Sequence, residues 1–328
     1  MKNIFVFLIL STLIFSFVGC KKSDSKIVIG ISKIVSHPAL DATEKGIQDA
    51  LTNAGFTNLQ YDLQNANGDI STAKQIANKF NSEKVKVAVG IATPTAQALV
   101  STLKNIPVVF SAVTDPQGAG LVKSTTEGDE FVTGVSDMTP VEEQIKMINS
   151  IKPIKKLGNI YASNEANSVS IAKLVKDACT KLGIEVIEAT VTNSSEVKQA
   201  TESIIDKVDA IYISTDNTVV SALNSVTDVA LKKKVPVMSA DPSSAETFDI
   251  IAAYGFNYYQ IGIETGKLVA DILNGKKTKD LPTKYLTEAS SLDLLINLDV
   301  AKQIGINVSE DILSKANKIK ENGQMKVK

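Results

Sequence analysis

Hydrophobic positions along this chain follow two alternating patterns, short β-branched runs and longer stretches with helical spacing. Runs such as 27–32 and 106–113 are rich in valine and isoleucine, which is typical of strands buried on both faces of a parallel sheet. Most runs precede a stretch whose apolar positions recur every three or four residues, as in an amphipathic helix. The alternation therefore indicates parallel strand–helix units.

The predicted elements fall into two series with the same order. In the first series we expect strands at 27–32, 59–64, 85–92 and 106–113, with helices around 40–54, 70–81 and 94–103. In the second we expect strands at 157–163, 185–191, 208–215 and 235–240, with helices around 169–182, 195–207 and 218–233. The order recurs at an offset of roughly 125 residues, which is typical of duplicated lobes. The predicted fold class is thus α/β, with two similar lobes, each a parallel sheet flanked by helices, joined by a hinge.

The pattern changes after residue 240, and this change sets the expected lobe boundaries. A short strand and a helix that ends at Asn274-Gly275 follow, and the tail from 282 to 328 adds one strand and one helix. We expect crossings between the lobes near 135, 257 and 281. Lobe 1 then comprises 27–135 and about 257–280, and lobe 2 comprises 136–256 and about 281–328. Because ligands bind beyond the carboxyl ends of parallel strands, the predicted site is the cleft between the lobes, with hinge closure around a ligand.

The N-terminal segment has the charge and apolar layout of a secretory signal. Lys2 is followed by a nearly continuous apolar run over 4–18, shorter than the roughly 20 residues that a spanning helix needs. Gly19 directly before Cys20 resembles a lipobox, the processing site of bacterial lipoproteins. That resemblance implies a signal peptide over 1–19, lipidation at Cys20 and a flexible tether over 20–26. A retained membrane anchor, or a cleaved signal that happens to end in cysteine, is the alternative.

Composition argues against several classes of protein. The chain is 44% hydrophobic with a mean hydropathy of +0.07, so it can bury sizeable cores and is neither disordered nor an integral membrane protein. Its 35 basic and 36 acidic residues nearly balance, which argues against a nucleic-acid partner. All the basic residues are lysines, so no guanidinium group is available to bind a carboxylate or phosphate. Cys179 is the one cysteine besides Cys20, and its apolar neighbours predict a buried helix position without a disulfide.

The sequence contains none of the common enzyme motifs. It lacks the patterns G-x-S-x-G, G-x-G-x-x-G, H-E-x-x-H and C-x-x-C, and it has no P-loop. His37 is the single histidine, which nearly excludes catalytic triads and imidazole metal sites. We therefore expect no enzymatic activity, no cofactor and no metal. An enzyme on a similar scaffold, with Asp115, Asp216 or Asp241 as acid or base, is the competing hypothesis, which turnover of a bound ligand would support.

Polar residues collect where predicted strands give way to helices. Six such stretches occur: SHPALD (36–41), GIATPTAQAL (90–99), FSAVTDP (110–116), SNEANS (163–168), STDNTV (214–219) and SADPSS (239–244). In the second, we expect Thr93 to be the N-cap and Pro94 the first helical residue, with Thr95 adding a hydroxyl. Free amides at such a helix start, with the helix dipole, can bind a carboxylate without arginine. Helix capping alone also places these residue types here, so each of them has a purely structural alternative.

Seven stretches carry a resemblance to a known family: HPALD, NANGD, GIATPTAQAL, FSAVTDPQGAGLV, GVSDM, VDAIYISTDNTV and AAYGFNYYQIG. In the same order and spacing, they resemble the ABC-transporter substrate-binding lipoproteins of the TrpX-like group. The resemblance runs from about residue 27 to beyond 295 and implies the type I periplasmic-binding-protein fold and extracytoplasmic capture of a small molecule. Aromatic amino acids are the best-known ligands of that group. One departure is Ala240-Asp241 followed by Pro242, where the family often has a glycine–aspartate pair.

The resemblance also implies which residues contact the ligand. On lobe 1 these are Thr93, Thr95, Thr114 and Asp115, and on lobe 2 they are Asn164, Asn167, Ser168, Thr215, Asp216, Asn217 and Asp241. A permease and an ATPase are the implied partners, a lipid on Cys20 would hold the protein at the extracytoplasmic face of the cell membrane, and we expect a monomer. A surface sensor or adhesin that keeps this fold without serving a transporter is the alternative.

These residue types suit a free L-amino acid with an apolar or aromatic side chain. Hydroxyls and amides at the helix start after residue 92 can donate to its carboxylate, and an aspartate of the cleft can face its ammonium. The lack of arginine disfavours phosphorylated ligands, whereas a sugar or a nucleoside is the alternative ligand. The candidate pocket aromatics are Tyr161, Tyr254 and Phe256. We expect Asp216→Ala to weaken binding at least about tenfold and to leave the fold intact.

Overall fold

The computed structural model describes residues 26–286 and 291–328. The predicted signal peptide, the lipidation site Cys20 and most of the tether lie outside the described residues. Two α/β lobes make up the described part, each with one sheet and helices packed against it. The predicted fold class is therefore confirmed.

The sheet of lobe 1 has six strands, all parallel. In chain order they are β1 (Ile27–Lys33), β2 (Leu59–Asn65), β3 (Val87–Ile91), β4 (Val108–Ser111), β5 (Val132–Ser136) and β11 (Lys284–Tyr285). Their spatial order is β11-β5-β4-β3-β1-β2. All five residues of β3 are buried, as expected for a central strand whose two faces are both covered.

The sheet of lobe 2 has eight strands of mixed direction. They are β6 (Lys156–Ala162), β7 (Glu185–Val191), β8 (Ala210–Ile213), β9 (Val237–Ser239), β10 (Ala252–Phe256), β12 (Leu292–Asn297), β13 (Lys318–Glu321) and β14 (Gln324–Val327). Their spatial order is β14-β13-β12-β10-β9-β8-β6-β7. The strands from β6 to β10 are parallel, whereas β12 runs antiparallel to β10, and β14 runs antiparallel to β13. The tail from 282 to 328 therefore contributes three strands to this sheet, β11 to the other sheet and two helices, not the single strand and helix expected from the sequence.

The helices pack against these sheets. Lobe 1 has α1 (Pro38–Asn53), α2 (Ile70–Glu83), α3 (Thr93–Thr102) and α10 (Tyr258–Leu273). Lobe 2 has α4 (Val141–Ile151), α5 (Ala166–Leu182), α6 (Val197–Ile204), α7 (Asn217–Ser221), α8 (Leu223–Lys232), α9 (Pro242–Thr247), α11 (Leu298–Ile304) and α12 (Glu310–Lys315). Helices α1 and α10 touch backbone to backbone, since a Cβ at Gly262 would lie 2.2 Å from the carbonyl oxygen of Thr43. This close packing fixes the position of α1, whose first turn lies at the cleft.

Each lobe has its own hydrophobic core. Lobe 1 has one continuous cluster, in which Phe80 and Phe110 are among the largest fully buried side chains. Lobe 2 has two clusters on opposite faces of its sheet, since the consecutive β8 residues Tyr212 and Ile213 belong to different clusters. Cys179 is buried in the first of these, as predicted, and burial raises the pKa of its thiol to about 11.

The chain passes between the lobes three times. It leaves lobe 1 after β5, returns between β10 and α10, and leaves again after β11. We expected the third crossing near 281, but Lys284 and Tyr285 still pair with β5 of lobe 1, so this crossing falls after Tyr285. A strand of two residues is too short to give a hydrophobic pattern in the sequence.

Candidate ligand-binding site

The cleft between the lobes contains a small inner cavity of about 20 Å³. Lobe 1 lines it with His37, Ala39, Leu40, Ala112 and Thr114, and the crossings add Asp137 and Tyr258. Lobe 2 lines it with Asn167, Thr215, Asp216, Asn217, Val220 and Asp241. A volume of this size holds about one water-sized group, so the two lobes are closed against each other and must part to admit a larger ligand.

A larger outer cavity of about 400 Å³ lies between the same two lobes. Lobe 1 contributes the segment 67–71 and Pro94, and lobe 2 contributes Asn164, Glu165 and the segment 192–194. Asn217 lines both cavities, so they are neighbours within one cleft.

Asp216 is held by the backbone of lobe 2. It is the N-cap of α7, where Oδ1 accepts a hydrogen bond from Val219 N at 2.8 Å and Oδ2 accepts one from Ala162 N at 2.6 Å. Burial, and after it the nearby negative charge of Glu165, raise the pKa of the Asp216 carboxyl to about 7. The carboxyl group is therefore both a helix cap and a titratable group of the cavity.

Asp241 has the corresponding role at α9. Its carboxylate accepts hydrogen bonds from Ser243 N at 2.9 Å and from the hydroxyls of Ser243 and Ser244 at 2.7 and 2.6 Å. The Ala-Asp-Pro sequence thus begins a helix, with Pro242 in its first turn.

Asp137 is a third acidic residue of the inner cavity, and the sequence analysis missed it. Its Oδ1 accepts a hydrogen bond from Thr114 Oγ1 at 3.0 Å, and its Oδ2 accepts one from the hydroxyl of Tyr258 at 2.9 Å. Burial raises the pKa of its carboxyl. Asp137 directly follows β5, so its position at a strand end was the available signal.

Several buried polar atoms at the cleft have no hydrogen-bond partner in the part of the chain that the structure describes. They are Ser32 Oγ, His37 Nδ1, Thr93 Oγ1, Asn167 Oδ1 and Ser214 Oγ. Ser32 lies in β1 and Ser214 directly follows β8, whereas His37, Thr93 and Asn167 lie at the starts of α1, α3 and α5. Because buried polar atoms in proteins are nearly always partnered, these five indicate a polar ligand or water near the strand ends and helix starts.

Within 26–286 and 291–328, two side-chain hydrogen bonds join the lobes away from the crossings. Thr114 Oγ1 lies 3.2 Å from Thr215 Oγ1, and Ser170 Oγ donates to Asp115 Oδ2 at 3.1 Å. The other oxygen of Asp115 accepts from Gly118 N at 2.8 Å, and Asp115 does not line the inner cavity. Asp115 therefore contacts lobe 2 at the cleft edge, apart from the three cavity aspartates.

The predicted threonines of α3 differ from one another. Thr95 Oγ1 donates within the helix start, to Ile91 O at 2.7 Å or Ala92 O at 3.0 Å, so its hydroxyl is already used. The N-cap is Ala92, with φ of 76°, and not Thr93 as expected, so the helix begins one residue earlier than predicted. Only Thr93 of this pair keeps a buried hydroxyl without a partner in the described chain.

The remaining predicted residues belong to lobe 2. Asn167 Nδ2 donates to Thr215 O at 2.9 Å, and Asn217 Nδ2 donates to Glu165 Oε2 at 2.6 Å. Ser168 is buried, and its hydroxyl oxygen accepts a hydrogen bond from Asn167 Nδ2 at 3.4 Å. Asn164 is exposed, donates to Thr192 O at 3.0 Å and lines the outer cavity.

The candidate aromatics lie elsewhere in the molecule. Tyr161, Tyr254 and Phe256 line neither cavity of the cleft, and Phe256 belongs to the core of lobe 1. Tyr258, two residues further along the same stretch, is the aromatic residue of the inner cavity. Over the ranges 26–286 and 291–328, no helix is long and apolar enough to span a membrane, and no group of three or more acidic, histidine or cysteine residues is arranged for a metal ion.

Comparison with known proteins identifies relatives along nearly the whole chain. Residues 28–320 match the family described as ABC transporter substrate binding protein. The chain is also similar to a tyrosine-binding protein of Clostridioides difficile strain R20291. The two are 37% identical over 290 residues, which cover 87% of this chain and 83% of the relative.

Two solved structures bear on the arrangement of the lobes. An ABC domain in complex with L-Trp from Streptococcus pneumoniae is 32% identical, with a TM-score of 0.86 over 90% of this chain and 100% of that one. The ligand-free, open structure of a substrate-binding protein with adhesive properties from Clostridium difficile is 36% identical, with a TM-score of 0.65 over 87% of this chain and 96% of that one. The similarity in shape is lower with the open structure although the identity is higher, so the lobes here are arranged differently from that open form.

Proposed function

This chain belongs to the family of ABC transporter substrate-binding proteins, and we propose that its ligand is an L-amino acid with an apolar or aromatic side chain. Proteins of this family bind small molecules outside the cytoplasm for ABC permease partners, and they are not enzymes. The ligand binds in the cleft, and the lobes close around it.

The charge of the inner cavity is the observation that carries this proposal. Asp137, Asp216 and Asp241 line the cavity and are 3%, 1% and 3% exposed, and no lysine of the described ranges lines it. Three carboxyl groups without a cation favour a ligand with a positive group, such as an ammonium. The same charges disfavour phosphorylated and dicarboxylic ligands.

The side chain of the ligand is inferred from the apolar lining and from relatives. Leu40, Val220 and Tyr258 offer apolar contacts beside the aspartates. One relative is named for tyrosine binding, and a similar structure was determined with L-Trp. Both support an aromatic amino acid as the ligand of this chain.

A thermal-shift screen of L-amino acids, sugars and nucleosides tests the proposal. An aromatic amino acid at about 100 times its Kd should raise the melting temperature by roughly 4–8 °C. Asp137→Asn should weaken its binding at least about tenfold, whereas Asp177→Asn, an exposed position on α5, should leave binding unchanged. Stabilisation by a sugar or a nucleoside, with no response to any amino acid, would contradict the proposal.

Ligand-driven closure of the lobes is part of the same proposal. The cavity is divided between the lobes, so neither lobe alone can contact both charged groups of an amino acid. Small-angle X-ray scattering should show a smaller radius of gyration at saturating ligand. An unchanged scattering profile would favour a rigid site within one lobe.

We further propose that Cys20 is the lipidated N-terminus of the mature protein and holds it near its permease and ATPase. Gly19-Cys20 at the end of an apolar run supports this assignment. Cys20→Ser should release the protein from membranes or leave it unprocessed. A variant that fractionates with membranes and migrates like the wild type would exclude lipidation.

Surface adhesion is a second candidate function, because a relative with 36% identity is described as having adhesive properties. Deletion of the gene should then reduce attachment of the cells to host surfaces without reducing amino-acid uptake. Reduced uptake with normal attachment would favour transport instead.

A further inference from the structure

The first turn of α1 faces the inner cavity without a side-chain cap. His37 is the N-cap residue, but its side chain makes no capping hydrogen bond, and Pro38 follows as the first helical residue. Ala39 and Leu40 line the cavity, and their N–H groups donate to no acceptor in the described chain. The first bonded amide of the helix is that of Asp41, which donates to His37 O at 3.0 Å. Two backbone donors and the positive end of a 16-residue helix are therefore free at the cavity.

The imidazole of His37 supplies an independent sign of a ligand at the same place. The residue is partly exposed at one edge, but its Nδ1 is fully enclosed and has no partner within 26–286 and 291–328. His37 lines the same cavity as Ala39 and Leu40. A buried imidazole nitrogen with no partner is unfavourable unless a ligand bonds to it.

Other helix starts at the cavity are less suited to an anion. Helices α7 and α9 are capped by Asp216 and Asp241, and α10 is capped by Asn257. Glu165 is the N-cap residue of α5, and its negative charge lies near Asp216. At these starts an incoming carboxylate would meet negative charge or amides that are already bonded, whereas the acidic residue in the first turn of α1, Asp41, is paired with Lys33 at 2.6 Å.

The geometry points to the first turn of α1, with His37, as the subsite for the carboxylate of the amino-acid ligand. This inference rests on the proposed function. The N–H groups of Ala39 and Leu40 and Nδ1–H of His37 donate to the carboxylate oxygens. Asp216 and Asp241 line the lobe 2 side of the same cavity and face the ammonium. The two charged groups of an α-amino acid are attached to one carbon. The two subsites must therefore line the same small cavity, as they do here.

This subsite differs from the one that the sequence suggested. The start of α3 was the expected carboxylate site, but Thr95 donates to its own helix start and Pro94 faces the outer cavity. The α1 subsite lies instead at the inner cavity, opposite the aspartates.

The test compares ligands that differ only in the carboxylate. Isothermal titration calorimetry measures the binding of L-tyrosine and L-tyrosinamide to the wild type, His37→Leu and His37→Gln. We expect His37→Leu to weaken L-tyrosine binding at least about tenfold and L-tyrosinamide binding less than about threefold. His37→Gln retains an N–H donor and should recover part of the lost affinity for L-tyrosine. Melting curves without ligand verify that each variant is folded.

Three outcomes would overturn the inference. Equal losses for L-tyrosine and its amide would show that His37 does not contact the carboxylate. A loss that persists for the amide but disappears with L-phenylalanine would assign His37 to the phenol hydroxyl instead. Unchanged L-tyrosine affinity in His37→Leu would remove His37 from the site. These outcomes differ from a failure of the proposed function. In that case the wild type itself would show no thermal stabilisation by any amino acid.

Discussion

The two faces of the cleft differ in how their helices begin. On lobe 1, α1 and α3 start without a side-chain cap, after His37 and Ala92. On lobe 2, α7 and α9 start with the aspartate caps Asp216 and Asp241. These four helix starts thus present free backbone donors on lobe 1 and carboxylates on lobe 2, although Asp69 caps α2 of lobe 1 at the outer cavity and α5 of lobe 2 has no side-chain cap.

Because of this difference, the two walls of the cleft favour different charged groups of a ligand. At the inner cavity lobe 1 offers free N–H groups and lobe 2 offers Asp216 and Asp241, so under the proposed function a zwitterion places its carboxylate toward lobe 1 and its ammonium toward lobe 2. The capping aspartates also stabilise the fold of lobe 2. Substitutions at the uncapped helix starts of lobe 1 remove no capping hydrogen bond, so they should cost the protein little stability. Substitutions on the two faces should therefore have different effects.

Asp216→Ala should have the largest effect on stability. It leaves the N–H groups of Ala162 and Val219 without their acceptor in a buried place. At about 1–3 kcal/mol for each, the free energy of unfolding should fall by roughly 2–5 kcal/mol, as measured by urea denaturation. This revises the expectation from the sequence that the fold stays intact. Asp177→Ala is the exposed control, and equal stability of both variants would contradict a structural role for Asp216.

The pH dependence of stability is the next largest effect. The pKa of Asp216 is about 7 in the folded protein, against 3.8 ordinarily. Between these values the folded state keeps a proton that the unfolded state has lost, so stability falls as the pH rises from about 4 to 7. At about 1.4 kcal/mol per pKa unit, the fall amounts to at most roughly 4 kcal/mol.

Asp216→Asn should remove most of this fall, because its side chain does not titrate. The wild type should exceed the variant in unfolding free energy by more at pH 4.5 than at pH 7.5. Asp137, whose pKa is also raised by burial, leaves a smaller slope in the variant. A stability difference independent of pH would show that Asp216 keeps an ordinary pKa.

Ser170→Ala should have a moderate effect on ligand release. It removes the hydrogen bond to Asp115 that joins the lobes, without touching the inner cavity. Losing about 1 kcal/mol from the closed form should raise the dissociation rate up to roughly fivefold in stopped-flow measurements. Ser203→Ala, which removes an exposed hydrogen bond within lobe 2, is the control. Equal rates in both variants would show that this contact does not hold the lobes closed.

Thr95→Val should have the smallest effect. The Thr95 hydroxyl donates to carbonyl groups of its own helix start, so ligand affinity should change by less than about twofold in calorimetry. Thr93→Val, at a hydroxyl without a partner in the described chain, should cost more. A larger loss of affinity in Thr95→Val than in Thr93→Val would indicate that Thr95 contacts the ligand.

Most of the fold could be predicted because its strands are buried on both faces. A run such as 87–91 has no polar face, so the strand is visible in the sequence alone. The third crossing between the lobes, after β11, could not be located from the sequence, because a strand of two residues is too short to show an alternation of apolar and polar positions. The strands of the tail were missed because β13 and β14 are lysine-rich and exposed or half-buried.

The sequence predicted that the site lies at the carboxyl ends of the strands, but not which side chains line the inner cavity. Asp115 and Asp137 follow neighbouring strands, yet only Asp137 lines the inner cavity. The turn in which Asp115 accepts from Gly118 N directs its carboxylate to the cleft edge. Such differences depend on side-chain partners in three dimensions, which neither spacing nor composition contains. His37 was treated as evidence against catalysis, and its position at the cavity required the packing of α1.

The hairpin of β13 and β14 forms one edge of the eight-stranded sheet. Its outermost strand, β14, has four exposed residues, includes Lys326 and is followed by Lys328. The border of a sheet carries unpaired backbone groups to which a strand of another molecule can add. A short border with solvated lysines opposes such growth. The exposed lysine-bearing edge therefore disfavours sheet-to-sheet pairing between copies of this protein.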